Sequence, residues 1–285
     1  MKKKNYLITG GSGFIGAAIT KKLVGEKNAK IKIFDSNLRG NFNNLDKIKK
    51  NITLIKGDIR DQKKLLKITK KIDCIIHLAF LNGTKNFYER PALVLDIGLK
   101  GIINIIECCK TNKIKELIIA SSSEVYNAPN NIPTKESESI KIPDVFNPRY
   151  SYSTGKIVSE ILPINNKQLF KKLIIFRPHN VYGPNMGQEH VIPELIIKMK
   201  KKLNKNKKKR IIFKIKGNGN ETRTFNYIDD FVNGFMKILK KGKHLNIYNI
   251  GTTERIKIHN LAIKISKFFK KKIILYRAKI ARGST

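Results

Sequence analysis

The sequence predicts an α/β protein: a doubly wound parallel sheet with helices on both faces, followed by a smaller, interrupted C-terminal lobe. Short runs of β-branched residues alternate with longer amphipathic stretches, which is the pattern of repeated strand–helix–strand units. A glycine-rich turn joins the first run to the first amphipathic stretch, and proline and glycine break the alternation after Arg177. The chain has 285 residues, which is enough to bury a large core.

The regular part of the pattern gives six strands and four helices. The predicted strands lie at residues 5–9, 30–35, 53–56, 74–78, 116–120 and 172–177. The predicted helices lie between them, at residues 14–24, 62–70, 92–110 and 151–169. Pro163 falls inside the last of these helices and is expected to kink or split it, because proline cannot donate the helical hydrogen bond.

The pattern of the last hundred residues is less regular. Helices are predicted near residues 191–201, 229–239 and 258–269, and strands near 211–216 and 245–250. We interpret this part as a mixture of strands that complete the sheet and a smaller second lobe.

The net charge is strongly positive, with 59 Lys and Arg against 21 Asp and Glu, or +38. Ten of the 59 basic residues are Arg and 49 are Lys, and the lysines are scattered along the chain. Lys, Asn and Ile share A/T-rich codons, so codon bias accounts for much of the excess. A nucleic-acid surface would favour Arg, which binds base edges and phosphates with two hydrogen bonds. Nucleic acid is therefore not expected as a partner, and only residues 198–210 are dense enough in charge to remain a candidate interaction site.

Cysteine usage and hydropathy exclude several other classes. Cys74, Cys108 and Cys109 form no CxxC pair and have no matching His spacing, so neither a zinc site nor a disulfide framework is expected. No apolar run approaches the ~20 residues that span a bilayer. We therefore expect a cytoplasmic protein with neither a metal nor a membrane partner.

Residues 10–16 read GGSGFIG and follow the first predicted strand. In this spacing Gly10 allows a tight turn, Gly13 allows close approach to a pyrophosphate, and Gly16 lets the helix pack on the strand. Asp35 ends the second predicted strand, where a carboxylate binds the adenosine ribose hydroxyls. The sequence thus predicts a Rossmann-like dinucleotide site with NAD favoured over NADP, although Arg39 nearby leaves the second cofactor open.

A second motif, YSTGK, places Tyr152 and Lys156 four residues apart, on one face of the predicted helix. Lowering a phenol pKa from about 10 to about 7 takes about 4 kcal/mol of differential stabilisation. A lysine and a positively charged nicotinamide can supply such stabilisation. The fifth predicted strand ends in serines 121–123, and strand carboxyl ends face the ligand crevice, so a hydroxyl partner for Tyr152 is expected there.

Together these motifs resemble the extended short-chain dehydrogenase/reductases, specifically the NAD-dependent sugar-nucleotide epimerase/dehydratase family. Seven segments match in the family's order: GGSGFIG at 10–16, GDIRD at 57–61, HLA at 77–79, SSSEVY at 121–126, YSTGK at 152–156, RPHNVYGP at 177–184, and residues 217–230. The resemblance implies an NAD-binding Rossmann domain at 1–178, with sheet completion from about 224–250. It implies a substrate-binding lobe at 179–223 and 251–285.

The resemblance also implies roles for individual residues. The implied catalytic residues are Ser122, Tyr152, Lys156 and Glu124. For Glu124 an ion pair with a surface lysine is an equally good explanation. The implied NAD-binding residues are Gly10, Gly13, Phe14, Ile15, Gly16, Asp35, Asp58, Ile59, Leu78, Ala79 and Lys156. The implied substrate-binding residues are Asn180, Val191, Ile192 and Arg223.

Three features depart from the family pattern. Gly98 stands where the family usually has Asn, so an active-site contact is expected to be missing or replaced. The segment 198–210 is longer and more basic than the usual connection. The chain ends at Thr285, before the segment with which family members normally close the substrate lobe, and we interpret this as a truncated frame.

The implied reaction begins with transient oxidation at C4 of a nucleotide sugar. A 4,6-dehydratase of the family would carry an Asp-Glu pair after the catalytic hydroxyl, but here the pair is Ser123-Glu124. The leading hypothesis is therefore a 4-epimerase of the UDP-glucose type. UDP-glucuronate decarboxylation is the main alternative, since that branch resembles residues 122–126 and Pro148-Arg149. A non-enzymatic NAD-sensing or RNA-associated scaffold is a third hypothesis, and a homodimer formed through helices 92–110 and 151–169 is implied.

Overall fold

A seven-stranded parallel sheet forms the centre of the molecule in a computed structural model that describes residues 3–205, 210–215, 217–269 and 272–277. The strands are β1 (Lys4–Thr9), β2 (Ala29–Asp35), β3 (Ile52–Lys56), β4 (Cys74–His77), β5 (Glu116–Ala120), β6 (Lys172–Pro178), β7 (Val181–Tyr182), β8 (Arg210–Ile215), β9 (Thr222–Thr224), β10 (Asn226–Tyr227), β11 (Asn246–Ile250), β12 (Arg255–Lys257) and β13 (Lys272–Arg277). The helices are α1 (Phe14–Val24), α2 (Gln62–Ile68), α3 (Thr84–Glu89), α4 (Pro91–Thr111), α5 (Ser151–Ile164), α6 (Val191–Lys205), α7 (Ile228–Lys241) and α8 (Ile258–Phe268).

The order of strands in the main sheet is β11-β6-β5-β4-β1-β2-β3, and every neighbouring pair is parallel. Strand β1 has β2 on one side and β4 on the other, so the direction of winding reverses at this point. A sheet wound in this way leaves a crevice at the carboxyl ends of its strands, where ligands bind. The α/β, Rossmann-like fold predicted from the sequence is confirmed.

Helices cover both faces of the sheet because successive residues of each strand point to opposite sides. Ile8 packs in a core with α1 and α7, whereas its neighbour Leu7 packs in a second core with α2, α4 and α5. Both residues are fully buried, which is why the strands are almost continuously apolar.

The predicted strands and helices are present, with ends that shift by a few residues. The largest difference concerns the helix predicted at 151–169. Helix α5 ends at Ile164 with Pro163 in its last turn, and a short 3-10 turn at Lys167–Leu169 follows. Proline therefore marks the end of the helix rather than kinking its middle: Pro163 cannot donate to the carbonyl of Ser159 one turn earlier, and α5 ends at the next residue.

The remaining strands lie outside the main sheet. Strand β12 pairs with β9 in an antiparallel ladder, and β13 pairs with β8 in a parallel one. Helices α6 and α8 pack with β8 around a small apolar cluster that includes Leu195, Met199, Phe213 and Leu261. The domain boundaries given above stay a prediction, and residues 206–209 of the basic segment lie outside the described residues.

Within the described ranges, no helix is both long and apolar enough to cross a membrane.

Phe235 of α7 tests how much the core contributes to stability. Its side chain is fully buried, and its ring lies 5.2 Å from that of Phe176 on β6. We expect Phe235→Ala to lower the free energy of unfolding by about 3–5 kcal/mol, because a cavity remains where the ring was. Urea unfolding followed by circular dichroism measures this loss. Phe146→Ala is the matched control: Phe146 is 93% exposed, and its loss should change stability by less than about 0.5 kcal/mol. Equal losses of stability in the two variants would contradict the assignment of Phe235 to the core.

Candidate active site

A cavity of about 420 Å³ opens at the carboxyl ends of β1, β2, β4 and β5. The structure brings most of the sequence-predicted site residues together in its wall. These are Gly10, Gly13, Phe14, Ile15, Gly16, Asp35, Asp58, Ile59, Leu78, Ala79, Ser122, Glu124, Tyr152, Lys156 and Asn180. We call the part near Asp35 the adenosine end and the part near Tyr152 the sugar end.

The glycine-rich turn forms the floor of the cavity at the start of α1. Gly10 has a φ of +70°, and a Cβ built there would lie 2.7 Å from the backbone nitrogen of Ala79. A side chain would therefore be strained and would push β1 away from the end of β4. Gly13 is the N-cap of α1, and the first turn of this helix carries no acidic residue. The free N–H groups and the positive dipole end of α1 therefore face the cavity without a competing anion. This arrangement fits the pyrophosphate of a dinucleotide.

Two backbone N–H groups hold the side chain of Asp35 in place, one from the glycine-rich turn and one from the loop after β2. Its carboxylate accepts hydrogen bonds from the N–H of Ser12 at 3.0 Å and of Asn37 at 2.9 Å. A carboxylate has about four acceptor positions, so capacity remains for ribose hydroxyls. The guanidinium of Arg39 lies 4.0 Å from the carboxylate of Glu189. The residues at the adenosine end thus fit NAD.

Asp58 lines the adenosine end and is paired with Arg60. Two guanidinium nitrogens and the backbone N–H of Arg60 donate to its carboxylate, and these hydrogen bonds hold the pKa of Asp58 below its usual value. Arg60 also donates to Asp96 of α4 at 2.8 Å. The pair therefore ties the loop after β3 to α4.

Three groups meet at the sugar end. The ammonium of Lys156 donates to the backbone carbonyl of Ala120 at 2.7 Å and lies 5.8 Å from the centre of the Tyr152 ring. The phenol of Tyr152 is hydrogen-bonded to Ser122, whose hydroxyl accepts from the N–H of Glu124 at 3.2 Å. The two motifs predicted from β5 and α5 therefore form one constellation.

Burial shifts the pKa values of the two central groups in opposite directions. It raises the pKa of the Tyr152 phenol, as does the charge of Glu124, while the hydrogen bond from Ser122 and the charge of Arg39 act against this. It lowers the pKa of Lys156 to about 7, opposed by the charge of Glu160. The expected lowering of the phenol pKa therefore needs positive charge beyond what the chain itself supplies.

Glu124 lies beside this constellation. Burial raises the pKa of its carboxyl, and the positive charges of Arg149 and Arg223 act against this shift. Arg149 and Arg223 are thus cations that act on this carboxyl group, and the role of Glu124 stays a prediction.

Three predicted substrate residues, all in the described part of the chain, do not line the cavity, and their substrate role stays a prediction. Val191 and Ile192 begin α6, and Ile192 packs against the small apolar cluster of the lobe. Arg223 is exposed on β9, where it donates to the backbone carbonyl of Thr222. Conversely, Phe80 and Phe87 line the sugar end without having been predicted. Phe87 lies in α3, which could not be predicted because it is short and its N-cap, Gly83, provides no side-chain cap.

A buried ion pair lies directly behind the constellation. Arg177 of β6 donates to both carboxylate oxygens of Glu160 of α5, at 2.8 and 2.6 Å, and the two side chains are 3% and 2% exposed. Arg177 also donates to the hydroxyl of Tyr126 at 2.7 Å, and the hydroxyl of Ser121 donates to Glu160. One carboxylate thus connects β5, α5 and β6.

The comparisons with known proteins agree with this geometry. A family model described as the NAD dependent epimerase/dehydratase family matches residues 6–251. The chain belongs to this family. The resemblance inferred from the sequence is confirmed, and the chain spans 61% of the length of the first curated relative that it matches.

Both dehydratases and epimerases are found among the similar proteins. The chain is 37% identical over 279 residues to a dTDP-D-glucose 4,6-dehydratase of Dictyostelium discoideum, covering 92% of this chain and 61% of that protein. It is 32% identical over 274 residues to a human dTDP-D-glucose 4,6-dehydratase, covering 94% of this chain and 74% of that protein. A solved UDP-N-acetylglucosamine 4-epimerase from Methanobrevibacter ruminantium M1, in complex with UDP-N-acetylmuramic acid, superposes with a TM-score of 0.84 at 27% identity and covers 100% of this chain and 88% of that one.

The Glu160–Arg177 pair yields a stability prediction for this family member. We expect Arg177→Met to lower the free energy of unfolding by about 3–5 kcal/mol, because it leaves a buried carboxylate unpaired. The double variant Glu160→Leu/Arg177→Met should lose less than the single variant, since no buried charge remains. The surface pair Lys240–Glu26 is the control, and Lys240→Met should cost less than about 1 kcal/mol. Guanidinium unfolding measures all three, and a double variant less stable than Arg177→Met would contradict the prediction.

Proposed function

We propose that the protein is a nucleotide-sugar 4-epimerase that acts by transient oxidation at C4. One observation carries the proposal: the groups at the sugar end suffice for proton transfer at one hydroxyl, but not for expelling another. Among the described residues, the cavity wall holds three carboxyl groups, and two of them, Asp35 and Asp58, belong to the adenosine end. Glu124 is the third.

The side chains divide the proton chemistry at C4 between them. Bound NAD supplies a hydride acceptor in its oxidised form and a positive charge that favours the phenolate of Tyr152. Tyr152 removes the proton of the C4 hydroxyl, and the hydroxyl of Ser122 hydrogen-bonds the same oxygen. Lys156 adds positive charge behind the phenol in its protonated form. Tyr152 would return the proton to the C4 oxygen once the keto sugar had been reduced on its opposite face, which would complete the epimer.

Dehydration needs an additional acid at C6, because a hydroxyl leaves as water only when it is protonated. Ser123 lines the cavity at the position where a 4,6-dehydratase of the family would carry an aspartate. A serine hydroxyl is far too weak an acid for this step at neutral pH. The local chemistry therefore supports epimerisation over dehydration, even though the 37% identical relative is named a dehydratase.

UDP-glucuronate decarboxylation is the second candidate. A sugar acid oxidised at C4 is a β-keto acid, which loses carbon dioxide without a further acid. The charge of Arg149 acts on Glu124 at the sugar end, so a cation that could attract a sugar carboxylate is close by.

Product analysis separates these reactions. Purified protein with NAD is incubated separately with UDP-glucose, UDP-N-acetylglucosamine, dTDP-glucose and UDP-glucuronate, and the products are identified by proton NMR. The proposal expects a C4 epimer from at least one of the first three. A 4-keto-6-deoxy sugar as the main product, or release of carbon dioxide from UDP-glucuronate with no epimer from the others, would overturn it.

Removing the phenol hydroxyl tests the assignment of the base. We expect Tyr152→Phe to lower kcat by about 10²- to 10⁴-fold, the usual contribution of a general base. The affinity for NADH should change by less than about threefold, because the ring remains in place against Phe87 at 4.9 Å. Tyr88→Phe is the matched control on an exposed tyrosine and should keep full activity. Full activity of Tyr152→Phe would mean that another group is the base.

Introducing an acid at position 123 tests why dehydration is disfavoured in this proposal. We expect Ser123→Asp to produce a measurable amount of 4-keto-6-deoxy sugar, because a carboxyl then faces the leaving hydroxyl. Ser123→Asn has nearly the same shape without the acid and should give none. NMR of the reaction mixture quantifies both products, and identical product mixtures from the two variants would refute this explanation.

A further inference from the structure

Phe80 fills a space that two helices leave open for it. It follows the end of β4, and its ring lies between Gly98 of α4 and Gly155 of α5. A Cβ at Gly155 would lie 2.7 Å from Cζ of the ring, and a Cβ at Gly98 would overlap the same ring edge. Any side chain at either position would displace Phe80. Phe80 thus occupies the space that a side chain at position 98 would fill.

The ring contacts both residues of the catalytic pair. It meets the ring of Tyr152 edge-on, with centres 5.1 Å apart and planes at 82°. The ammonium of Lys156 lies over its face, 4.2 Å from the centre. Phe87 stacks on the phenol ring at an angle of 19°, so Tyr152 has two aromatic neighbours. Of these two, Phe80 is the one whose ring lies under the ammonium of Lys156.

The position of the ammonium over the face of the Phe80 ring matters because Lys156 is almost completely buried, at 3% exposure. A cation within about 6 Å of a ring centre is attracted by its negative face, and more strongly when water is excluded. One N–H of the ammonium is used by the carbonyl of Ala120, so the ring supports part of the remaining charge.

We propose that Phe80 is a positioning residue that holds the ammonium of Lys156 beside Tyr152 through the face of its ring. Gly98 and Gly155 make this possible by leaving room for the ring. The proposal rests on the roles given above to Tyr152 and Lys156, but it does not depend on which nucleotide sugar is the substrate.

The other titratable groups around Lys156 make its protonation measurable. Glu160 on the same helix raises the pKa of Lys156, which burial has lowered to about 7. His77 on β4 has a pKa lowered to about 3 by burial and then by the charge of Lys156, so it is neutral near pH 7. Tyr152 is also neutral there, since its pKa is raised. Glu124 and His190 also line the cavity, with a raised and a lowered pKa, so a pH step near 7 is assigned to Lys156 by its loss in Lys156→Met.

The test follows the affinity for NADH as a function of pH, by NADH fluorescence, without any sugar. The wild type should bind more weakly as the pH rises through about 7 and Lys156 loses its charge. Lys156→Met should show no such step. Phe80→Leu keeps the apolar volume but has no ring face, so the charged form is less favoured and the midpoint should move down by about 0.5–1.5 pH units.

Two further variants separate this role from packing. Gly98→Ala displaces the ring without altering Phe80 and should shift the midpoint in the same direction. Phe87→Leu removes the other aromatic neighbour of Tyr152 and should leave the midpoint unchanged. A wild type without a pH step, or Phe80→Leu with an unchanged midpoint, overturns the proposal. Because the readout needs no turnover, failure of the proposed epimerase reaction is seen separately in the product analysis.

Discussion

The buried pair of Glu160 and Arg177 is the interaction on which the site depends. Ser122 comes from the loop after β5, whereas Tyr152 and Lys156 come from α5, so the constellation exists only if these two elements keep a fixed distance. Glu160 accepts from Ser121 at the end of β5 and from Arg177 of β6, while it sits one helical turn after Lys156. The same carboxylate therefore fixes the geometry of the site and supplies negative charge behind its lysine.

Burial disfavours charge on the side chains at the sugar end. It raises the pKa values of Tyr152 and Glu124 and lowers that of Lys156, so it favours the neutral form of each group. A positive charge that arrives with the cofactor favours phenolate in the place where a base is needed. Formation of the base is thus coupled to cofactor binding, which fits a cycle in which oxidation comes first.

Much of the molecule could be predicted from local patterns. The glycine turn, Asp35 and the Tyr152–Lys156 spacing each lie within one strand–helix unit, where periodicity and turn chemistry are strong signals. Phe80 could not be found in this way, because its role depends on Gly98 and Gly155, which reach it only through helix packing. The substrate role of Arg223 stays a prediction: it lies exposed on β9 and its charge acts on Glu124, but no local pattern determines how the small lobe folds over the cavity.

The fate of the hydrogen at C4 tests the proposed reaction most directly. UDP-glucose and UDP-N-acetylglucosamine carrying deuterium at C4 are converted by the protein, and the label is located in the product by NMR. An epimerase returns the same hydrogen to the carbon from which it came, so we predict a C4-inverted sugar with deuterium at C4. Deuterium at C6 of a 4-keto-6-deoxy sugar would contradict the proposal, because the hydrogen is delivered there only after water has been lost.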